Sequence, residues 1–148
     1  MLAMHHDYRV MSPSRGFACL NELDFGAPLK AAMSGIFRLK VPAATYRSIV
    51  LEARRFPGPE ALAAGIVDAN GGIEEVLKLV AERGLTTKGA TGVYGVLKAE
   101  MYRESIGYLT VEGHEREEKK EAELMRGEDE RKESGNRRVG EWKAKGKL

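Results

Sequence analysis

Scarcity of strand constrains this chain more than any other feature. Across 148 residues, only Asp7 to Met11, Phe17 to Leu20 and the brief Ile66-Val67-Asp68 read as extended. Pro13 and Gly16 mark a Ser-Pro-Ser-Arg-Gly turn between the first two. So few strands cannot build a covered sheet alone, because each needs neighbours or a blocked edge. Most of the remainder follows a helical period. Leu29, Met33, Ile36 and Phe37 recur at helical spacing. Val41-Pro42 breaks that run, and Pro42 suits the first turn of a new helix with Tyr46, Ile49 and Val50 on its apolar side. Phe56-Pro57-Gly58-Pro59 reads as a loop, and Glu60 to Ala64 as a short helix stopped by Gly65. Asn70-Gly71-Gly72 opens a helix with Ile73, Val76, Leu77 and Val80 on one face. Thr86 to Leu109 reads as one further helix, weakened by Gly89, Gly92 and Gly95.

Charge divides the chain in two. The 37 residues from Glu112 to Leu148 carry 11 basic and 11 acidic side chains, so the tail is neutral in sum but dense in charge. Glu115 with Lys119, Glu117 with Glu121 and Lys119 with Glu123 mix attractive and repulsive helical neighbours. Residues 112–148 are therefore expected to be a solvated helical or partly disordered tail, and residues 1–111 the folded portion. A net charge of +2 points to no nucleic-acid partner. No apolar run approaches the roughly 18 residues of a membrane span, and no basic-then-apolar leader opens the sequence. One cysteine, Cys19, rules out an internal disulfide and reads as a small buried hydrophobe.

Glu22 carries the chemistry. It directly follows the second extended run and precedes a glycine turn and an apolar helix. A carboxylate so placed can face a cavity shielded from water, where burial raises its pKa into the range of a general base. An acid at a helix start also serves simply as a cap, and that reading stands beside the catalytic one. Asp24, nearby, is read as a surface or helix-start acid pointing away from Glu22.

Three runs occur in matching order and spacing: His6-Asp7-Tyr8-Arg9-Val10-Met11, Asn21-Glu22-Leu23-Asp24-Phe25-Gly26, and Leu51 to Asp68. The most specific piece is Pro59-Glu60-Ala61-Leu62-Ala63-Ala64-Gly65-Ile66-Val67-Asp68. Together they resemble the C-terminal half of the enoyl-CoA hydratase/isomerase (crotonase) superfamily, with the closest likeness to peroxisomal Δ3,Δ2-enoyl-CoA isomerases. The resemblance runs from Leu2 to about Leu109. It implies an α/β fold, the C-terminal half of a crotonase-like ββα spiral, helix-rich with two or three short strands. The sheets of the family belong mostly to the other half, which accounts for the shortage of strand.

The resemblance also implies a reaction. Family members bind acyl-CoA thioesters, stabilise an enolate with two backbone N–H groups, and move the proton with a carboxylate. Glu22 falls on the position of that carboxylate. Leu29 and Met33, one helical turn apart, are candidates to line an acyl pocket, although core packing is the commoner fate of such residues. Hydratases use a second carboxylate, whose position falls near Met1 or Leu2; neither is acidic, which favours an isomerase over a hydratase fragment. Both oxyanion donors would lie before Met1, so a truncated isomerase, weak or inactive alone, is expected. The alternative is a non-catalytic interaction module or pseudoenzyme pairing with full-length paralogues. No cofactor is implied beyond the CoA of the substrate, and trimer-type self-association is.

His5-His6 is no metal pair, since adjacent side chains diverge, and no metal site is expected. Asn70-Gly71-Gly72 lacks the Lys and Ser or Thr of a phosphate loop. Arg54, Arg55 and Lys30 are ordinary surface cations. Gly146-Lys147-Leu148 approaches the peroxisomal address Ser-Lys-Leu, with Gly146 the departure, so the peroxisome is the expected compartment and the cytoplasm the alternative.

Overall fold

The computed structural model describes residues 1–146 and divides into two compact units, Met1–Leu109 and Thr110–Leu148. In the first unit a single 3₁₀ turn, Leu2–His5, precedes β1 (Val10–Met11), β2 (Phe17–Ala18) and a one-turn helix α1 (Glu22–Phe25). Helices α2 (Ala31–Lys40) and α3 (Ala43–Leu51) follow, then β3 (Phe56–Pro57), α4 (Gly58–Ala63), β4 (Ala69–Asn70) and α5 (Ile73–Glu82). A 3₁₀ segment (Leu85–Thr91), α6 (Tyr94–Met101) and α7 (Arg103–Leu109) complete the unit.

The strands pair across long stretches of chain. β1 runs parallel to β4 with Val10 opposite Ala69, and β2 runs antiparallel to β3 with Ala18 opposite Phe56. Two runs noted for their resemblance meet at the first pairing. The Arg9 N–H donates to Asp68 Oδ2 at 2.9 Å, Arg9 Nε donates to the Ile66 carbonyl at 2.7 Å, and the Asp68 N–H returns to the Arg9 carbonyl at 2.8 Å. A one-residue slip would break all three bonds, so Arg9 and Asp68 fix the register. The Asn70 amide adds a third segment, donating to the Gly58 carbonyl at 2.9 Å. At that junction a Cβ on Gly58 would stand 2.4 Å from the Ser12 carbonyl oxygen, a close approach that only glycine permits.

Helices cover these pairs. Ile36 and Phe37 of α2, Ile49 of α3, Phe56 of β3, Ala61 of α4 and Ile66 form one buried cluster with Tyr102. Ile36, Ile49 and Ile66 are essentially inaccessible, and full burial of such side chains stabilises by roughly 1.5–3 kcal/mol each. Gly65, left-handed at φ 71°, turns the chain out of α4 as expected.

Several local expectations are corrected. The Phe56-Pro57 loop is β3, recruited by pairing with β2. Its Pro57 sits on a strand with a single partner, where a missing N–H is tolerated. On α5 the inward residues are Val76, Leu79 and Val80, while Ile73 and Leu77 are 71% and 62% exposed. The single helix expected over Thr86 to Leu109 is three pieces. Gly92 is left-handed at φ 76°, and Tyr102 leaves the helical region to bury its ring and bond Asp7. The region around Glu22 is helical where an extended exit was expected.

The second unit is one 34-residue helix, α8 (Val111–Ala144), about 50 Å long at 1.5 Å per residue. The Thr110 hydroxyl caps it, accepting from the Gly113 N–H at 3.1 Å. Its surface carries pairs such as Lys120–Glu117 at 2.9 Å and His114–Glu118 at 3.4 Å. Exposed pairs of this kind each contribute little.

Candidate active site

Leu20, 5% exposed, anchors the chain after β2 in the core, and the turn that follows is α1. Asn21 stands at its N-cap without a side-chain capping bond, and Gly26, left-handed at φ 70°, closes it. The Ala27 N–H folds back onto the Glu22 carbonyl at 3.0 Å. One turn is too short to stand alone; α1 is held by packing against α3.

Glu22 is the first residue of this turn. Its side chain is half-buried, and its Oε2 is buried with no hydrogen-bond partner among the described residues. That oxygen is no cap, because it accepts nothing from the turn. Buried polar atoms are nearly always paired, so an orphaned carboxylate oxygen is the kind of cost that functional sites retain. Asp24 is exposed, and two residues of helix turn it roughly 200° away from Glu22.

The other expected site residues are placed as follows. Leu29, half-buried just ahead of α2, packs against the core cluster, and Met33 is half-buried in the first turns of α2. None of the surface hollows described lines itself with Glu22, Leu29 or Met33. His5 and His6 are exposed, and among the described residues no group of three or more His, Cys, Asp or Glu could hold a metal. Arg54 is engaged by Glu60 at 3.0 Å and lies over the Phe56 ring, while Arg55 lies over Phe17. Gly71-Gly72 is a turn in which the Gly72 N–H donates to Glu75 Oε2 at 2.7 Å. Gly146 is left-handed at φ 63°; Lys147 and Leu148 of the address-like tripeptide lie outside the described residues.

Sequence reasoning missed a polar cluster around Asp7. Its carboxylate accepts from Lys98 Nζ at 2.6 Å and from the Tyr102 hydroxyl at 2.7 Å. Burial pushes the Asp7 carboxyl up, but these two bonds together with the charges of Lys98 and Lys40 outweigh it and hold it below the ordinary range. Burial and then the Asp7 bond push the Tyr102 phenol well up. Lys40 donates to the His6 carbonyl at 2.6 Å and lies 4.7 Å from the Tyr102 ring centre. Burial, and then the charge of Arg9, push its amine down to about 8. The only sequence signal for this cluster was the His-Asp-Tyr-Arg run itself.

No family model matches the chain. Relatives do. Over 118 residues it is 30% identical to peroxisomal enoyl-CoA delta isomerase 2 of Arabidopsis thaliana, covering 76% of this chain and 49% of that protein. It is 34% identical over 113 residues to peroxisomal enoyl-CoA delta isomerase 1 of the same plant, covering 72% and 46%. Among solved structures, an enoyl-CoA hydratase from Mycobacterium marinum superposes with a TM-score of 0.55 at 25% identity, covering 70% of this chain and 46% of that one. The chain thus spans about half the length of the relatives it matches.

Proposed function

The chain belongs to the enoyl-CoA hydratase/isomerase (crotonase) superfamily, and from that premise we propose that Glu22 is the base of an acyl-CoA double-bond isomerisation. The substrate class is a 3-enoyl-CoA thioester. Glu22 takes a proton from C2, the thioester oxygen carries the resulting negative charge, and the same carboxyl returns the proton at C4. One carboxylate suffices for that shuttle, whereas hydration requires a second, and Asp24 faces away. The observation that carries the reading is the buried, unpartnered Oε2 of Glu22. The CoA is part of the substrate, and no other cofactor enters.

By the family resemblance, the two oxyanion donors lie in the portion of the relatives that this chain does not match. Each such donor typically contributes about 100- to 1000-fold in rate. Catalysis without that portion would be slower by about 10⁴-fold or more. A chimera placing the unmatched half of an Arabidopsis isomerase ahead of this chain, with and without Glu22→Gln, tests the assignment. Turnover that E22Q lowers by about 10²–10⁴-fold supports it. An E22Q chimera as fast as its parent refutes it.

A second reading is a docking module for a full-length paralogue or a second copy. Leu23 and Phe25 beside Glu22, 58% and 64% exposed, favour it. Co-purification of the chain with an isomerase, lost in Phe25→Asp, supports that role. The names of two relatives favour the peroxisome as the compartment. A fluorescent fusion that stays diffuse with Leu148 intact speaks against it.

A further inference from the structure

Two hollows, of about 400 Å³ and about 360 Å³, share Tyr8, Tyr94 and Leu97 and so form one trough along α6. Volumes of that size suit a small molecule better than a protein partner. Along the trough Tyr94, Leu97 and Met101 recur at helical spacing, and all three remain exposed, at 40%, 64% and 53%. They make an apolar stripe roughly 10 Å long.

The rim is cationic. Arg83, Lys88 and Lys98 border the trough against a single carboxylate, Asp7. Asp7 is already engaged by Lys98 and Tyr102. Arg83 lies 4.9 Å from the Tyr8 ring centre and shares Asp68 with Arg9. Lys88 is exposed on the 3₁₀ segment, and no carboxylate among the described residues pairs with it. Arg9 and Lys40 behind the rim add further positive charge.

We propose that this trough binds an amphiphilic anion, a single alkyl chain lying along Tyr94, Leu97 and Met101 with its phosphate or carboxylate head held by Lys88 and Arg83. The head belongs at the Lys88 end because Lys98 is bonded to Asp7 at 2.6 Å, whereas Lys88 has no carboxylate partner among the described residues and Arg83 only shares Asp68, at 3.5 Å. None of these residues takes part in the proton transfer at Glu22, so the two readings stand or fall separately.

Titration of the full-length, ¹⁵N-labelled chain with dodecyl phosphate below its micelle concentration tests the site. Saturable shifts confined to the amides of Tyr8 and residues 83–101 are expected. Butyl phosphate, too short to cover the stripe, binds at least tenfold more weakly, since each methylene removed from water is worth up to about fourfold. Lys88→Glu and Leu97→Asp each weaken dodecyl phosphate at least tenfold; both side chains are exposed, so spectra elsewhere stay unchanged. Tighter binding of dodecyl phosphate than of dodecanoate identifies a phosphate head, and the reverse a carboxylate. Shifts outside the trough, affinity unchanged in both variants, or dodecanol binding as tightly as the anions overturns the proposal.

Discussion

Removing the Glu22 carboxylate is predicted to stabilise the fold. In Glu22→Met a flexible apolar chain of similar length replaces the acid. Leaving a buried acceptor unsatisfied costs about 1–3 kcal/mol, and the low end applies because the rest of the side chain is half-exposed. Against that gain stands the loss of a negative charge at the start of α1, about 0.3 kcal/mol for so short a helix. The balance is a gain of about 0.7 kcal/mol, or about 3 °C in Tm for a unit of this size. All five tyrosines lie in the first unit and Trp142 lies in α8, so near-ultraviolet circular dichroism at the tyrosine band follows the right transition. A Tm lowered by 4 °C or more would show that Oε2 is bonded in solution. The reasoning from an orphaned oxygen to a retained proton shuttle would then fail.

Three further outcomes follow from the same geometry. Asp7→Asn should cost about 1–2 kcal/mol at pH 7, by weakening two bonds to a charged acceptor, with the partly exposed Lys98 discounted. Because the Asp7 carboxyl is held low, its contribution is complete above the unfolded pKa and lost as pH falls through the folded one. Urea midpoints of the two proteins should converge between pH 5 and about pH 2. Lys40 follows the same sign in a higher window: its folded amine, at about 8, lies below the unfolded 10.5, so stability should rise with pH between them, and Lys40→Met should flatten that rise in the same assay. Gly58→Ala should destabilise by about 1–3 kcal/mol, because the added methyl meets the Ser12 backbone and not a movable side chain; an unchanged midpoint would mean the two segments are not in contact.

The family was legible because its most specific run, from Pro59 to Asp68, is a local signature of turn, short helix and glycine stop. What that run does was not legible. Arg9 and Asp68 look like surface charges in sequence, yet they fix the register of β1 on β4, a role defined only by a partner 59 residues away. β3 was hidden for the same reason: Phe56-Pro57 has loop composition and becomes a strand only because β2 is beside it. The break at Tyr102 escaped notice because its cause is Asp7, far back in the chain. At the candidate site, Glu22 was found by position in a motif, whereas the lack of a partner for its Oε2 among the described residues is a property of packing. The trough beside Tyr94 had no sequence signature at all, since the hydrophobic period on α6 reads the same whether its stripe is covered or bare.

Both strand pairs join segments that are remote along the chain, and neither is a hairpin. During synthesis Val10 and Met11 emerge long before Ala69 and Asn70, and at about 5–20 residues per second they wait roughly 3–12 seconds for their partners. Through that interval Met4 and Leu20, core residues of the folded unit, remain unburied, and apolar surface exposed in this way is what makes folding intermediates prone to aggregation. The ribosome's pace between Val10 and Asn70 thus becomes a determinant of yield.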